Sequence, residues 1–434
     1  MKVTPARRAA LEVLRAQRRG ELLDRALAGA VEGVPARERA WVQELVYGTV
    51  RLRGRLDHML GAFVRRGLGS LDPDTLDILR LGAYQLLEMG SVPAYAAVSQ
   101  AVELAKQVRG AGAGRLVNGV LQSLGRQKDE VRFPDFADDA VGYLSTWGSH
   151  PRWLVERWVA RFGVDEARAL VEANNTRPEL FLRPVGEAPD AALRGLEAAG
   201  IEAARVTFAP DALRVAPPAT ALHALAAVPA VVQDPAASLV VRYAAVPAGA
   251  TVADVCAAPG GKAVALAGRA GYVAAADLSF DRLTRVRENA ERVGRLPLGL
   301  VVADAREPPF RPVDVVLVDA PCTGTGTLRR HPDGKWRLRP EDPAALAGLQ
   351  AELLETSSSI VTPGGLLVYA TCSLEPEENE EQMEAFLSAH PEFEPAPPPE
   401  GLDPRMLDAA GRLLVLPQLF GVDGAFATRL RRRS

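Results

Sequence analysis

Three cysteines, Cys256, Cys322 and Cys372, lie far apart in a chain of 434 residues, and each follows an apolar run: "TVADVC", "VDVVLVDAPC" and "GGLLVYATC". Their odd number and the lack of any CxxC spacing argue against a disulfide framework and against a zinc site. A free cysteine is usually a small buried hydrophobe. Two at the ends of neighbouring strands in a ligand-binding fold instead invite a chemical reading, which the residues around them sharpen.

The stretch "DVCAAPGGKA", Asp254 to Ala263, is a glycine turn between a strand and a helix. Gly260 and Gly261 let backbone approach a ligand, and the helix start offers free N–H groups. A Walker A loop ending in Gly261-Lys262 needs glycine where Cys256 stands and Ser or Thr where Ala263 stands, which disfavours ATP. No dinucleotide G-x-G-x-x-G is present either. Asp277 ends the next strand, about 20 residues on, where an acid takes ribose hydroxyls of an adenosine cofactor. Asp304, after the third strand, could reach the adenine or its amine, although either acid could equally cap the following helix. The ordered set of turn and acids suggests an adenosine without phosphates, which S-adenosylmethionine satisfies.

Other elements must hold these residues. From Thr4 to about Gln127, apolar residues recur every three or four positions and predict an all-α domain over 1–128. Charge and proline in "QKDEVRFPDFADD" mark a linker over 129–149. The segments from 150 to 235 predict a small α+β unit, and residues 236–434 predict a Rossmann-like α/β domain. Its apolar strands, alternating with helices, argue for a parallel sheet covered on both faces, with ligands at the carboxyl ends of the strands.

Composition bounds the setting. At 48% hydrophobic residues the chain supports real cores. The two longest stretches free of Asp, Glu, Lys and Arg are broken by proline and glycine, so no membrane segment is read, and a reducing cytoplasm suits the free thiols. Residues 1–128 hold 20 Lys and Arg against 12 Asp and Glu, the remainder 31 against 42. A basic front suits a phosphate-binding appendage, or equally an arginine-rich solvated surface. "RRHPDGKWRLRP", Arg329 to Pro340, is a basic loop that could touch an RNA backbone. The acidic run "EPEENEEQ" reads as a helix N-terminus suited to the helix dipole.

"DVCAAPGGKA", "DAPCTGTG" and "ATCSLEPEEN", in that order and spacing, resemble the Sun-type RNA cytosine-5 methyltransferases. The front segments "ELVYGTVRLRGRLD", "LRLGAYQLL", "VPAYAAVSQAVELAK" and "RLVNGVLQSL" resemble a NusB-like RNA-binding domain of the kind found on small-subunit ribosomal methyltransferases. The resemblance spans nearly the whole chain and implies methylation of a cytosine in 16S ribosomal RNA; for the oligomeric state, which the sequence does not give, a monomer is the default expectation. It assigns Cys372 as nucleophile, Cys322 as the residue assisting release, and Asp319 as a hydrogen-bonding partner of the cytosine. It also assigns cofactor contacts to Cys256, Ala257, Ala258, Pro259, Gly260, Gly261, Lys262, Asp277, Asp304 and Asp319. DNA cytosine-5 methyltransferases attack with the Pro-Cys cysteine, which would make Cys322 the nucleophile; the attached "TCSLEPEEN" favours the RNA-type division. A non-enzymatic RNA-binding protein would also fit the front, but it has no need of both intact cysteine motifs.

Overall fold

Apolar residues at helical spacing turn the front of the chain into seven successive helices: Pro5–Arg18, Leu23–Ala30, Ala36–Arg51, Arg53–Gly61, Pro73–Leu87, Ala94–Arg109 and Ala111–Gln127. The computed structural model describes residues 3–434. Pro73–Leu87 shows how local sequence sets an element. The Asp72 carboxylate accepts from the N–H groups of Asp74 and Thr75, and Pro73 at the first turn has no N–H to leave unpaired. Most of this helix is buried, charged residues included. Arg15 pairs with Asp74 at 2.7 Å and Arg80 with Asp57 at 2.7 Å. The Arg15 guanidinium holds the Asp74 carboxyl well below the usual carboxylate range. Some arginines of the front are therefore paired within it, which leaves its net basic excess unchanged.

The stretch read as a linker carries a helix, Ala140–Thr146, whose N-terminus Asp139 caps. Phe133 stacks on His58, with ring centroids 4.5 Å apart, and meets Trp147 edge-on. Two more helices follow, Arg152–Phe162 and Val164–Asn174. The helical unit extends to Thr176 and takes in His331–Arg337 from much later in the chain. Trp336 of that segment packs on the helical core, and its indole N–H donates to the Val50 carbonyl at 2.7 Å.

The second unit holds two sheets. Strands β1 (Leu180–Pro184), β2 (Ala203–Val206), β3 (Ala209–Val215) and β4 (Ala230–Val232) form an antiparallel sheet in the order β2-β3-β1-β4. Its core gathers Leu182, Leu196, Leu213 and Val215. The larger sheet is built on β5 (Thr251–Asp254), β6 (Tyr272–Asp277), β7 (Leu298–Val302), β8 (Val313–Asp319) and β9 (Val361–Thr371), all parallel. Beyond these, β10 (Phe393–Pro395), β11 (Leu413–Val415) and β12 (Ala425–Arg432) extend it, β12 running antiparallel to β9. The sheet is thus mixed rather than purely parallel.

Alternation explains its two cores. Val315, Leu317, Leu366 and Val368 pack on one face with Val264 and Val286. Val316, Val318, Leu367 and Tyr369 pack on the other with Leu354, Phe386 and Phe426. Strands buried on both faces read as the continuous apolar runs seen in the sequence. Among the described residues, no helix is long and apolar enough to cross a membrane.

Candidate active site

The carboxyl ends of β5, β6, β8 and β9 meet at one cleft of about 580 Å³. The parallel register decides which residues share it. Asp319 of β8 lies opposite Ala370 of β9, and the Ala320 N–H donates to the Ala370 carbonyl at 2.9 Å. Chain leaving both strands after this pair brings Cys322 and Cys372 together although 50 residues separate them. Their sulfurs stand 3.3 Å apart.

On the β5 side, the turn after Asp254 leads into the helix Gly261–Ala267. Gly260 has φ +99°, and a Cβ there would come within 2.9 Å of Val286, so only glycine fits. The turn is held by its neighbours: Ala257 N–H donates to the Ala276 carbonyl, Ala258 N–H to Asp277, and Arg282 to the Ala258 carbonyl. Asp277 is nearly buried, and its other oxygen accepts from the Ser279 N–H at 3.0 Å. The carboxylate therefore organises both the glycine turn and the start of the helix Phe280–Val293. Asp304 accepts from the backbone and side chain of Arg306, which hold its carboxyl down to about 2.

Of the predicted site residues, Cys256, Ala258, Lys262, Asp277, Asp304, Asp319, Cys322 and Cys372 line the cleft. Ala257, Pro259, Gly260 and Gly261 belong to the turn but do not line the cleft. Three carboxylates face the space, and the cations among its lining, Lys262, Arg282 and Arg306, are each already paired with one of them. This donor set fits a cationic, phosphate-free adenosine cofactor better than a nucleotide.

The electrostatics divide the cysteines. Lys262 Nζ donates to Asp319 Oδ2 at 2.6 Å. Burial opposes the charge on Lys262, but the Asp319 carboxylate outweighs it and holds the ammonium charged. Hydrogen bonding from Cys322 lowers the Cys372 thiol, and Lys262 adds to that effect; the same hydrogen bond, with burial, raises Cys322. Of the two thiols, Cys372 is the one favoured to lose its proton and Cys322 the one favoured to keep it, although burial and the Asp319 carboxylate oppose the charge on Cys372. Burial and nearby acids push the Cys256 thiol far up, so it stays protonated.

Two regions depart from the sequence reading. Arg329 and Arg330 do not form a free basic surface: Arg330 binds Asp423 at 2.8 Å and also Asp234, and Arg329 is buried beside the same two acids. The acidic run is not only a helix start. The helix begins at Glu380, whereas Glu378 and Asn379 before it are fully buried. Glu378 bonds Thr323, Ser373 and Gln350, and Asn379 bonds Thr371 and the Ser373 carbonyl. Only the adjacency to Cys372 hinted at this in the sequence.

Comparison with known proteins fits this geometry. A family profile described as 16S rRNA methyltransferase RsmB/F matches residues 244–431, one described as NusB family matches 4–126, and an RsmF/B-like ferredoxin-like domain matches 150–221. The probable ribosomal RNA small subunit methyltransferase B of Bacillus subtilis is 35% identical over the full length of both chains. The chain belongs to the RsmB/F family of rRNA methyltransferases. Ribosomal RNA small subunit methyltransferase B of Klebsiella pneumoniae is 36% identical across 87% of this chain and 88% of its own. Among solved structures, PH0851 superposes over the full length of both chains, with a TM-score of 0.80 and 26% identity. NSun6 from Pyrococcus horikoshii, solved with the S-adenosylmethionine analogue SFG, shares the fold across 65% of this chain and 98% of its own, with a TM-score of 0.56 and 19% identity. The enzyme is an S-adenosylmethionine-dependent rRNA methyltransferase.

Proposed function

We propose that this methyltransferase modifies carbon 5 of a cytosine in 16S ribosomal RNA through a transient bond between Cys372 and carbon 6 of the ring. The observation that carries this reading is the pair of sulfurs 3.3 Å apart in a cofactor cleft. Methyl transfer to nitrogen or to a ribose oxygen has no use for two thiols there. Carbon 5 of cytosine is a poor nucleophile, and a thiolate added to carbon 6 makes it enamine-like.

Bound S-adenosylmethionine supplies an electrophilic methyl group. Asp277 would take its ribose hydroxyls, Asp304 its adenine, and the turn from Cys256 to Lys262 its amino-acid end. Cys372 is kept as a nucleophile by the thiol proton of Cys322 and the charge of Lys262. Asp319, steadied by Lys262, is available to hydrogen-bond the cytosine edge and stabilise the adduct. Loss of the carbon-5 proton must precede cleavage of the carbon–sulfur bond, and Cys322 assists that release.

The base must leave its stack to meet a thiol and a methyl group on opposite sides of its ring. In this reading the helical unit, which extends to Thr176, and the small antiparallel sheet grip structured RNA while the cleft of the larger sheet accepts one extruded base. A single chain carries every group the reaction needs, and the reducing cytoplasm keeps both thiols free. The names of the Bacillus and Klebsiella relatives support small-subunit rRNA as the substrate. Nucleoside mass spectrometry of 16S rRNA after incubation with the enzyme tests the reading: 5-methylcytidine is expected, and a methyl group found only on another nucleoside or on nitrogen would refute it.

A further inference from the structure

The two cysteine loops are joined by a buried carboxylate that the reaction above does not use. Glu378 is 0% exposed, yet among the described residues its carboxylate is met by neutral donors and not by a cation. One of its oxygens accepts from the Thr323 N–H at 2.8 Å and from Gln350 Nε2 at 3.0 Å. The other accepts from the hydroxyls of Thr323 and Ser373. Thr323 follows Cys322 directly, and Ser373 follows Cys372. Gln350, from the helix Asp342–Ser359, also donates to the Pro321 carbonyl on the other side of Cys322. A buried charge satisfied by hydrogen-bond donors alone is expensive to keep, and these donors come from both loops.

We infer that Glu378 is a positioning residue for both cysteines, clamping the loop of Cys322 to the loop of Cys372 so that the two sulfurs keep their working distance. The inference rests on the proposed thiol chemistry for its catalytic meaning, but its geometric content stands apart from it. Neighbouring bonds fix Glu378 in turn. Tyr369, buried in β9, donates its hydroxyl to the Glu378 carbonyl at 2.7 Å, and Asn379 ties Thr371 to the Ser373 carbonyl. The clamp is thus anchored to the strand from which Cys372 emerges. Its charge also has a direction. Glu378 adds to the effects that keep the Cys322 thiol protonated, while Lys262 acts on Cys372. The carboxylate and the ammonium therefore act on the pair in the same sense.

Two variants of the full chain, Glu378→Ala and Glu378→Gln, test this in a Cys256→Ala background, with phenylarsine oxide as the probe. A trivalent arsenical chelates only thiols close enough to share it, so its affinity reports the sulfur pair without RNA or turnover. S-adenosylmethionine binding by equilibrium dialysis reports the cofactor side, and single-turnover methyl transfer reports the chemistry. Glutamine keeps a carbonyl for the Thr323 N–H and an amide that the two hydroxyls can accept from, so it should restore most of the clamp. Glu378→Ala should weaken chelation at least about tenfold and slow methyl transfer about a hundredfold, with cofactor affinity within roughly threefold of the parent. Glu378→Gln should keep chelation and rate within about fivefold of the parent. Chelation and rate left unchanged by Glu378→Ala would overturn the inference. So would both variants losing cofactor binding in step with rate, because that would mark a general structural role. Tight chelation lost in Glu378→Ala, from a parent that transfers no methyl to RNA, would instead support the clamp and refute the proposed function.

Discussion

On the β5–β7 side of the cleft the acids are tied over short spans, Asp304 to Arg306 and Asp277 to Ser279, two residues away in each case, with Asp277 also reaching the Ala258 N–H across 19 residues. On the β8–β9 side the ties run between loops: Thr323 to Glu378 across 55 residues, Cys322 to Cys372 across 50, and Gly326 N–H to the Cys372 carbonyl. The cofactor side is therefore assembled from turns that neighbour one another in the chain, while the thiol side exists only when two distant loops are in register. Substitutions on the first side should act singly. Those on the second should act together and fail to add.

The largest effect that would sharpen this contrast is at Cys372. Cys372→Ala should lower single-turnover methyl transfer by at least about ten-thousandfold, as expected when a nucleophile is removed, and leave S-adenosylmethionine affinity nearly untouched. A rate within tenfold of wild type would break the assignment. Lys262 comes next, since it belongs to both sides. Lys262→Met removes the positive charge that favours the Cys372 thiolate and leaves Asp319 without its cation. Methyl transfer should fall about a hundredfold. Iodoacetamide alkylation of Cys372, followed by mass spectrometry against pH, should shift its midpoint upward; a fixed midpoint would mean that the charge of Lys262 does not reach the thiol.

Asp277→Ala should act on one side only. S-adenosylmethionine affinity should weaken by about tenfold to a hundredfold, the cost of hydrogen bonds to a charged group, with no change in the Cys372 alkylation profile. Coupled loss of both would argue against two separately built halves. The smallest expected effect is at Asp254, beneath the turn. An aspartate ordinarily titrates near 3.8, but burial, and then the charge of Asp319, pushes Asp254 up to about 8. Its folded value is the higher one, so stability is fully present below pH 3.8 and declines as pH rises through about 8. Asp254→Asn abolishes that decline. Its melting temperature relative to wild type should rise from near zero at pH 4 to a few degrees at pH 9, and a pH-independent difference would contradict the placement.

Much of this was legible in the sequence because strands carry a pattern. The apolar runs ending at Asp254, Asp277, Asp319 and Thr371 place four strand ends, and a parallel sheet covered on both faces brings such ends to one edge. The S-adenosylmethionine assignment followed from an acid one strand beyond a glycine turn that lacks the phosphate-binding residues. What stayed hidden depends on single partners without periodicity. Glu378 resembled any other acid before a helix, and only the folded chain shows it accepting from Thr323 and Ser373. Arg329 and Arg330 looked like an RNA contact because Asp234 and Asp423, which neutralise them, lie about a hundred residues away in either direction. Strand β12 escaped because its own sequence, "AFATRLRR", mixes apolar residues with three arginines, and its antiparallel pairing with β9 supplies what local propensity does not.

The measurement that bears most directly on the central claim is a denaturing gel of wild type, Cys322→Ala and Cys372→Ala after incubation with 16S rRNA and methyl-labelled S-adenosylmethionine. If Cys372 attacks and Cys322 assists release, Cys322→Ala alone should accumulate a labelled RNA–protein band that survives denaturation, and Cys372→Ala should give neither band nor product. A band trapped by Cys372→Ala, with none from Cys322→Ala, would reverse the roles of the two thiols and contradict the account.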